Sequence, residues 1–586
     1  MLEKIKKGIG IFSLFWQILT KRQRVLFFAI FFSILLGAAL ETLGVSILIP
    51  FVQAILTPKE LIQKEIIKII LAAIGINDEF GFVVFITVAV IVFYFLKNIY
   101  LVLTAYWQQK YRCDVQKYVS VSILKSYLHY PYSYFIKTNS SELLRNVITD
   151  ADGLMSCINS IFSILTQIFI VLLITIFLFV TDPFIASCLV VSIVFVLLVP
   201  IVILGRPIRQ TGIRLRENAA ACYKSALQAI SGIKEIIMYG KQDFFSAEYE
   251  SSYKKKADND IRSCVYTSLP GRLIEAICIS ALALSLCIKR TGGSLNVAMI
   301  AQLSAFAMAA FKLLPSVSTI SQSFNTLILS YPVLSSVHNN INNKVAKLLL
   351  NNSSKNAVRF TNFTNQIKFQ NVAFHYENKE KVIFSNVNVT INKGDVVGIV
   401  GPSGAGKTTF VDVLLGLLKN TEGKILVDGV DLDDENIVNW RSKIAYVPQT
   451  AYLIDDTILA NVAFGQKEID EKLVSDVLKE AMLQDYINNL PEGVNTVVGE
   501  RGVAMSGGQR QRLSIARALY TKPEIIVFDE ATSALDEKTE KEIMESVDNL
   551  IGKQTLFIIA HRLSTLKKCT KILQIENGKV LQKESL

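Results

Sequence analysis

A glycine-rich loop at residues 401–408 carries the residue types that hold phosphate groups. It reads Gly-Pro-Ser-Gly-Ala-Gly-Lys-Thr, after an apolar stretch typical of a buried strand and before a helical pattern. Such glycines let backbone N–H groups turn toward phosphate oxygens, and the helix adds the positive end of its dipole. The pattern predicts a nucleoside triphosphate site whose lysine reaches the phosphates and whose following threonine binds Mg²⁺. The predicted contacts are Gly401, Pro402, Ser403, Gly404, Ala405, Gly406, Lys407, Thr408 and Thr409.

A second motif at residues 505–512 reads Met-Ser-Gly-Gly-Gln-Arg-Gln-Arg. It is followed by an apolar strand-like run that ends in two carboxylates, Asp529 and Glu530. With the phosphate loop, these motifs resemble the nucleotide-binding domain of ABC transporters in their order and spacing. Other phosphate-loop enzymes share the first and last motifs but lack the Ser-Gly-Gly-Gln between them. The family's usual leucine is Met505 here, a residue of similar volume and polarity.

The resemblance implies roles for further residues. Tyr376 would stack on the adenine, Gln449 would contact Mg²⁺ and water, and Asp529 would act on Mg²⁺ through water. Glu530 would polarise the attacking water, and His561 would contact the γ-phosphate. The implied cofactors are ATP and Mg²⁺. The implied catalytic set is Glu530, His561 and Gln449, and the implied metal set is Thr408, Gln449 and Asp529.

The resemblance also implies a partner. In this family each nucleotide lies between the phosphate loop of one domain and the Ser-Gly-Gly-Gln motif of another, because three anionic phosphates need donors on both sides. The chain carries one such domain, with Glu530, His561 and the motif intact. We therefore expect a homodimer with two competent sites. The second copy would complete each site through Ser506, Gly507, Gly508 and Gln509.

The first half of the chain is far more apolar than the second. The sequence is 51% hydrophobic over 586 residues, and its mean hydropathy of +0.39 is too high for a soluble protein of this length. Runs of apolar residues predict six membrane spans, the first of them uncleaved because polar and basic residues precede it without a small-residue cleavage site. The runs lie near residues 25–48, 80–104, 158–180, 184–204, 273–288 and 297–314.

Lysine and arginine cluster before the first run and in two long loops, residues 106–156 and 205–270. The positive-inside rule predicts that these loops, the N-terminus and the nucleotide-binding domain are cytoplasmic. The net charge of +11 then reflects segments beside anionic lipid headgroups, and no basic-aromatic module predicts nucleic-acid binding. The loops have helical spacing. Resemblance to ABC exporters implies that they extend the spans and end in coupling helices near residues 130–135 and 232–240; two helical hairpins that merely pack together are the alternative.

The predicted fold therefore has two parts. An α-helical membrane domain with six spans and long cytoplasmic extensions covers residues 1–338, and an α/β phosphate-loop ABC nucleotide-binding domain covers residues 367–586. The asparagine-rich stretch at residues 339–366 is predicted to be a linker. The eight cysteines are scattered, so they predict neither a disulfide framework nor a metal site.

Charged residues in or near the apolar runs are candidates for substrate binding, because an ionised group in hydrocarbon is costly unless it faces water or a partner. Glu41 lies deep in the first run, Arg272 and Glu275 lie at the start of the fifth, and Lys312 lies near the end of the sixth. Arg272 and Glu275 are spaced to pair with each other on one helix face. The alternative is that they line a site for an anionic or sugar-bearing head.

Three membrane segments, residues 41–50, 270–275 and 314–316, resemble the lipid-linked oligosaccharide flippases of bacterial protein glycosylation. In that group a short amphipathic helix outside the membrane attends the lipid tail, and residues 58–70 have this form. The predicted function is ATP-driven export or flipping of an amphipathic substrate, a lipid-linked oligosaccharide, across the cytoplasmic (inner) membrane. Export of a peptide or hydrophobic drug is one alternative. A regulatory membrane protein that binds ATP without transport is another.

Overall fold

The structure is a computed structural model that describes residues 10–583 except 11, 57, 59–61, 63–77, 182, 291–296, 343–362, 377–381, 500–501, 503–504, 531–543, 546, 560–565 and 567. Parts of the helices between residues 184 and 311 are described by their backbone alone. The chain divides into two compact units. The helical unit comprises Met1–Tyr130 and Thr138–Lys347, and the mixed unit comprises Pro131–Lys137 and Leu348–Leu586.

The helical unit consists of long helices joined by short ones. In chain order the helices are α1 (Lys21–Ser46), α2 (Leu48–Leu56), α3 (Glu79–Leu128), α4 (Tyr132–Lys137, which belongs to the mixed unit), α5 (Ser140–Val147), α6 (Thr149–Thr181), α7 (Pro183–Ser231), α8 (Ile233–Met238), α9 (Gln242–Arg290) and α10 (Val297–Asn342). The 50 residues of α3 rise about 75 Å at 1.5 Å per residue, more than twice the hydrocarbon thickness of a bilayer. The long helices therefore extend well beyond a membrane, as the helical spacing of the loops predicts.

Three of the described helical segments are long and apolar enough to cross a membrane, namely Lys21–Gly44, Glu79–Leu128 and Ser140–Val180. They contain most of the first three predicted runs. The other three runs lie in α7, α9 and α10, largely where side chains are outside the described residues. Of the predicted external helix, only residues 58 and 62 are described; Ile62 packs beside Ala54 and Phe82.

Aromatic and polar contacts hold the long helices of this unit together. The rings of Phe27 on α1 and Phe162 on α6 stack at a centroid distance of 5.5 Å. Arg216 on α7 donates to the carboxylate of Asp150 at 2.9 Å and to the hydroxyl of Ser336 at 2.6 Å. Because Asp150 is fully buried, this paired charge fixes the register of α6, α7 and α10.

The last helix reaches into the predicted linker. α10 continues to Asn342, although its final residues include several asparagines, which have low helix propensity. Leu334 and Val337 are buried near this end, so packing overrides the local preference. The remainder of the predicted linker up to residue 362 lies outside the described residues.

The mixed unit contains two sheets. Strands β1 (Gln366–His375), β2 (Val382–Asn392), β4 (Glu422–Val427) and β5 (Val430–Asp431) form an antiparallel sheet in the order β2-β1-β4-β5. Strands β3 (Val396–Val400), β6 (Ile444–Val447), β7 (Ile525–Asp529), β8 (Thr555–Ile559), β9 (Lys571–Glu576) and β10 (Lys579–Lys583) form the second, in the order β10-β9-β3-β8-β7-β6. All its pairs are parallel except β9 with β10.

Helices cover both faces of the six-stranded sheet. They are α11 (Lys407–Leu414), α12 (Ile437–Arg441), α13 (Ile458–Val462), α14 (Glu471–Glu480), α15 (Gln484–Asn488) and α16 (Gly507–Tyr520). Along β7, Ile526 and Phe528 belong to one apolar core while Ile525 and Val527 belong to the other. Two-sided burial explains why β7 is apolar at every position from Ile525 to Phe528.

The topology brings several predicted nucleotide-site residues to one edge of this sheet. Strands β3, β6, β7 and β8 run parallel, so their carboxyl ends lie together. The residues that follow these ends are the phosphate loop after β3, Gln449 after β6 and Glu530 after β7. Open parallel sheets bind ligands at this edge, which is where the predicted nucleotide residues meet.

Candidate functional site

The phosphate loop folds as a tight turn between β3 and α11. Gly404 and Gly406 have φ angles of 76° and 102°, which residues with side chains rarely adopt. A Cβ at Gly401 would collide with the carbonyl oxygen of Ile575, so this position also requires glycine. Helix α11 begins at Lys407, directly after the loop. Its first N–H groups and the positive end of its dipole therefore meet at the loop.

The lysine of this loop lies inside its curve. Lys407 is buried, and its Nζ donates to the carbonyl oxygens of Gly401 at 2.9 Å and Pro402 at 3.4 Å. Anionic phosphate oxygens would be stronger acceptors than these carbonyls. The phenol oxygen of Tyr376 lies 3.3 Å from Oγ1 of Thr409 on α11. The structure thus brings the predicted adenine-stacking ring close to the loop.

Two predicted catalytic side chains contact each other at the sheet edge. The Nε2 of Gln449 donates to Oε2 of Glu530 at 2.7 Å. This contact follows from the sheet order, because β6 pairs with β7 and both residues come just after their strands. Glu530 has a φ of 47°, in the left-handed region that non-glycine residues avoid. Such strain is typical of residues whose side chains are held in place for function.

Asp529, the last residue of β7, is buried beside its neighbours. The hydroxyl of Tyr446 donates to its Oδ2 at 2.9 Å. Burial raises the pKa of Asp529, the hydrogen bond from Tyr446 lowers it, the charge of Glu530 raises it and Lys407 lowers it; the net direction is upward. Burial, and next the charge of Asp529, raises the pKa of Tyr446, so this phenol stays a hydrogen-bond donor. Tyr446 was missed at the level of sequence, where only its place in an apolar strand is visible.

A third carboxylate, that of Asp412, lies near Asp529. Asp412 is on α11, and burial together with the charge of Asp529 raises its pKa to about 6. Tyr132, on α4, also belongs to this unit; burial raises its pKa, and the charge of Asp412 raises it further. Asp412 was not predicted as a site residue. An acidic residue among the apolar positions of the helix after a phosphate loop is the signal that would have found it.

The Ser-Gly-Gly-Gln motif forms the start of α16. The hydroxyl of Ser506 accepts from the N–H of Gln509 at 3.2 Å, and Oε1 of Gln509 accepts from the N–H of Ser506 at 2.8 Å. This reciprocal cap leaves two glycines, Gly507 and Gly508, at the first helical positions. Further along the helix, Nε2 of Gln511 donates to the carbonyl of Pro448 at 3.0 Å, which ties α16 to the residue before Gln449.

The remaining predicted catalytic residue, His561, lies outside the described residues. Strand β8 ends at Ile559, two positions earlier, and pairs with both β3 and β7. The carboxyl end of β8 thus lies at the same edge as the phosphate loop. The role of His561 stays a prediction.

The donor set at this edge suits Mg²⁺. The predicted metal residues Asp529, Gln449 and Thr408 offer carboxylate, amide and hydroxyl oxygens, the hard ligands that Mg²⁺ prefers. Among the described residues, no three His, Cys, Asp or Glu side chains converge as a closed metal cage. In nucleotide sites Mg²⁺ commonly takes one or two carboxylates and completes its shell with phosphate oxygens and water. When bound, Mg²⁺ would offset the charge of the phosphates.

A separate polar cavity of about 440 Å³ lies within the helical unit. Its lining comes from α1, α3, α6 and α10, and includes Glu41, Thr104, Gln167, Lys312 and Ser316. The Nζ of Lys312 lies 2.8 Å from Oε2 of Glu41, and the Nζ of Lys97 lies 3.8 Å from the same oxygen. One carboxylate on α1 therefore contacts a lysine on α3 and a lysine on α10.

Two of the three charged residues in this cluster were identified from the sequence. Glu41 and Lys312 were candidates, whereas Lys97 was missed, although a lysine inside an apolar run is the signal that marks it. Arg272 is exposed on α9 and is not among the described residues that line the cavity. The side chain of Glu275 lies outside the described residues.

Family models match both halves of the chain. Residues 384–533 match the ABC transporter domain, and residues 26–314 match the ABC transporter transmembrane region. The chain is 30% identical over 465 residues to the ATP-dependent lipid A-core flippase of Cupriavidus pinatubonensis, covering 78% of this chain and 77% of that protein. It is 29% identical over 567 residues to the heterocyst differentiation ATP-binding protein HepA of Nostoc sp., covering 96% and 91%.

A solved structure has the same fold. The structure of a bacterial Atm1-family ABC exporter with ATP bound matches with a TM-score of 0.76 at 21% identity, covering 96% of this chain and 95% of that chain. At this identity the likeness concerns the fold alone. The phosphate loop, the capped Ser-Gly-Gly-Gln helix and the carboxylates after β7 supply the chemistry. The chain therefore belongs to the ABC transporter family, as an exporter-type membrane protein whose ATPase domain couples ATP hydrolysis to transport.

Proposed function

We propose that the protein is a homodimeric flippase that moves a lipid-linked oligosaccharide outward across the cytoplasmic (inner) membrane. The observation that carries this proposal is the cluster of Glu41, Lys97 and Lys312 at the polar cavity of the helical unit. Two lysines and one glutamate carry one net positive charge. A surplus cation among apolar helices is costly unless an anion compensates it. The phosphate group that joins a glycan to its lipid is such an anion.

The cavity has the size and lining for the phosphate-bearing part of a headgroup. Its volume of about 440 Å³ lies within the range of small-molecule sites. Hydroxyl and amide groups from Thr104, Ser163 and Gln167 border it, and these can hydrogen-bond to sugars. Exposed apolar residues on α3, such as Phe95 and Leu96, offer a surface for the lipid tail. The lipid A-core flippases are relatives named for another glycolipid, which supports an amphipathic cargo.

At the nucleotide site we assign the following roles. Lys407 and the loop N–H groups would hold the phosphates, and Thr408, Gln449 and Asp529 would bind Mg²⁺, partly through water. Glu530 accepts hydrogen bonds from the attacking water and orients it, while Gln449 fixes the carboxylate of Glu530. His561 contacts the γ-phosphate. Ser506, Gly507, Gly508 and Gln509 of the second copy close the site from the other side, with Tyr376 on the adenine.

The test is stimulation of ATPase activity in purified, lipid-embedded protein. A diphosphate-linked glycan lipid, the same glycan lipid without phosphate, peptides and cationic drugs are titrated in parallel. We expect the diphosphate lipid to raise ATPase activity several-fold and Lys312→Ala to weaken that response. Stimulation by cationic drugs or peptides with none by the glycan lipid would replace this proposal with a drug or peptide exporter. ATP binding without turnover under every condition would favour a regulatory role.

A further inference from the structure

The two lysines that contact Glu41 are held very differently. Lys97 is nearly buried, with 8% of its side chain exposed, whereas 38% of the Lys312 side chain is exposed. Lys312 borders the polar cavity, and Lys97 is not among the described residues that line it. The shorter contact belongs to the exposed lysine, at 2.8 Å against 3.8 Å. Glu41 therefore binds most closely the cation that a ligand in the cavity could also reach.

Lys97 is fixed in place by its surroundings. Its ammonium lies 4.4 Å from the centroid of the Tyr94 ring, within the range of a cation–π contact. The hydroxyl of Tyr94 donates to the carbonyl oxygen of Gly44 at 2.9 Å, which anchors the ring on α1. A Cβ at Gly44 would be in ordinary van der Waals contact with Nζ of Lys97 at 3.5 Å, so this ammonium lies beside α1 at Gly44. Lys97 thus stays beside Glu41 whether or not Lys312 does.

We infer that Glu41 is an internal stand-in for the anionic head of the substrate. Without ligand, its carboxylate binds the ammonium of Lys312. An incoming phosphate or diphosphate takes Lys312 away, and Lys97 remains to compensate the charge of Glu41. This inference rests on the proposed function, whose site it concerns, and it makes Glu41 a selectivity residue. A neutral or cationic ligand cannot replace a carboxylate on a lysine, so it leaves the ion pair closed.

The two lysines then have separate effects on affinity. Removing Glu41 frees Lys312 for the ligand, so an anion should bind more tightly. Removing Lys97 leaves Glu41 with Lys312 as its only cation in the cluster, so an anion must compete harder. Because the Glu41–Lys312 pair is partly exposed, each effect should be modest, about three- to tenfold in Kd. Without Glu41 there is nothing for Lys97 to compensate, so its loss should then matter little.

The experiment titrates farnesyl diphosphate, with farnesol as the neutral control, against the purified full-length protein by calorimetry. Glu41→Gln should lower the Kd for the diphosphate about three- to tenfold, and Lys97→Met should raise it by a similar factor. The double variant should resemble Glu41→Gln, and Lys312→Ala should bind most weakly. Farnesol should show no such ordering. Thr42→Val, a neighbour whose hydroxyl bonds within α1 to Ala38, is the matched control and should leave the Kd unchanged.

Weaker binding of farnesyl diphosphate by Glu41→Gln would overturn the inference, because Glu41 would then be a ligand of the substrate itself. Equal losses from Lys97→Met with and without Glu41 would also overturn it. Failure of the proposed function has a different signature. If the predicted order of Kd values holds but no glycan lipid stimulates ATPase activity, Glu41 keeps its role as a stand-in for an anion, and the lipid-linked oligosaccharide is rejected as the substrate. If a glycan lipid stimulates ATPase activity but Glu41→Gln binds farnesyl diphosphate with the Kd of the parent, the proposed function is kept and only the stand-in role of Glu41 is rejected.

Discussion

Two glutamates at the two ends of this chain contrast in their partners. Glu530 follows a buried strand and accepts a hydrogen bond from an amide, Gln449, at 2.7 Å. Glu41 lies in a membrane helix and contacts two ammonium groups, those of Lys97 and Lys312. An amide donor orients a carboxylate through a hydrogen bond, whereas an ammonium also compensates its charge. A carboxylate beside an amide is suited to polarise water, and a carboxylate beside ammonium groups is suited to bind a cation.

The contrast separates the two tasks of an ATP-driven exporter. At the sheet edge, the amide of Gln449 holds the carboxylate of Glu530, and the ammonium of Lys407 donates to a carbonyl oxygen of the phosphate loop. A carboxylate inside a membrane domain has to be compensated, since unpaired charge there is costly. The same isosteric change, glutamate to glutamine, should therefore have opposite consequences at the two positions.

The largest effect is expected at Glu530. Glu530→Gln removes the carboxylate that orients water and keeps Lys407, Thr408 and Tyr376, so turnover should fall at least about 100-fold with ATP still bound. Nucleotide should be trapped in a closed dimer. Turnover and bound nucleotide are measured on one preparation, with Glu471→Gln, an exposed position at the start of α14, as the control. ATP hydrolysis by Glu530→Gln at the rate of the parent would show that Glu530 does not orient the attacking water.

The next largest effect concerns the composite sites. Lys407→Ala deletes the cation on the phosphates and should weaken nucleotide binding about tenfold or more. Ser506→Arg should block the partner's site. In mixed dimers with one chain of each variant, both lesions should fall at one site and leave the other intact, so roughly half of the nucleotide binding should remain. Equal damage to both sites would contradict a shared site between two copies.

A smaller effect is expected at Tyr446, which donates to Asp529. Tyr446→Phe keeps the ring and removes the hydrogen bond that orients this carboxylate. We expect the Mg²⁺ concentration for half-maximal activity to rise roughly tenfold, because partners of metal ligands tune affinity on this scale. The same shift should appear in the Mg²⁺ dependence of thermal protection by nucleotide. An unchanged Mg²⁺ dependence in both measurements would show that Tyr446 does not orient a metal ligand.

The smallest effect is expected at Asp412, a carboxylate beside another carboxylate. Its pKa is raised to about 6 from the ordinary value of 3.8, so its ionisation opposes folding. This penalty is absent below about pH 4 and complete above pH 6. Allowing for solvent screening, Asp412→Asn should stabilise the nucleotide-free protein by about 1 kcal/mol at pH 8, or about 2–4 °C in Tm. The gain should shrink as pH falls toward 4. A gain in Tm that does not depend on pH would contradict a raised pKa of Asp412 in the folded protein.

The phosphate loop and the carboxylates after β7 could be placed at one sheet edge from sequence because each is contiguous in the chain. The phosphate loop and the Asp529–Glu530 pair each form a short motif whose local geometry follows from its residue types. The contact of Gln449 with Glu530 could not be predicted from the residues alone, since it depends on β6 lying next to β7. The hydrogen bond from Tyr446 to Asp529 depends on the same neighbourhood.

In the helical unit, sequence identified charges but not their pairing. Glu41 stood out as a charge in an apolar run, yet its partners come from α3 and α10, far along the chain. Lys97 could have been noticed as a lysine in an apolar run, but its place beside Glu41 depends on the packing of Tyr94 and Gly44, which no sequence pattern shows. The helical character of the long loops was predictable because their apolar residues recur at helical spacing.

The most direct test of the flippase account is translocation in proteoliposomes. The purified protein is reconstituted with a fluorescent diphosphate-linked glycan lipid, and the fraction of headgroups accessible from outside is followed after addition of ATP and Mg²⁺. We predict an ATP-dependent change in the accessible fraction with the parent protein, none with Glu530→Gln, and a reduced rate with Lys312→Ala. Translocation that continues in Glu530→Gln, or none by a parent protein that hydrolyses ATP, would contradict the account.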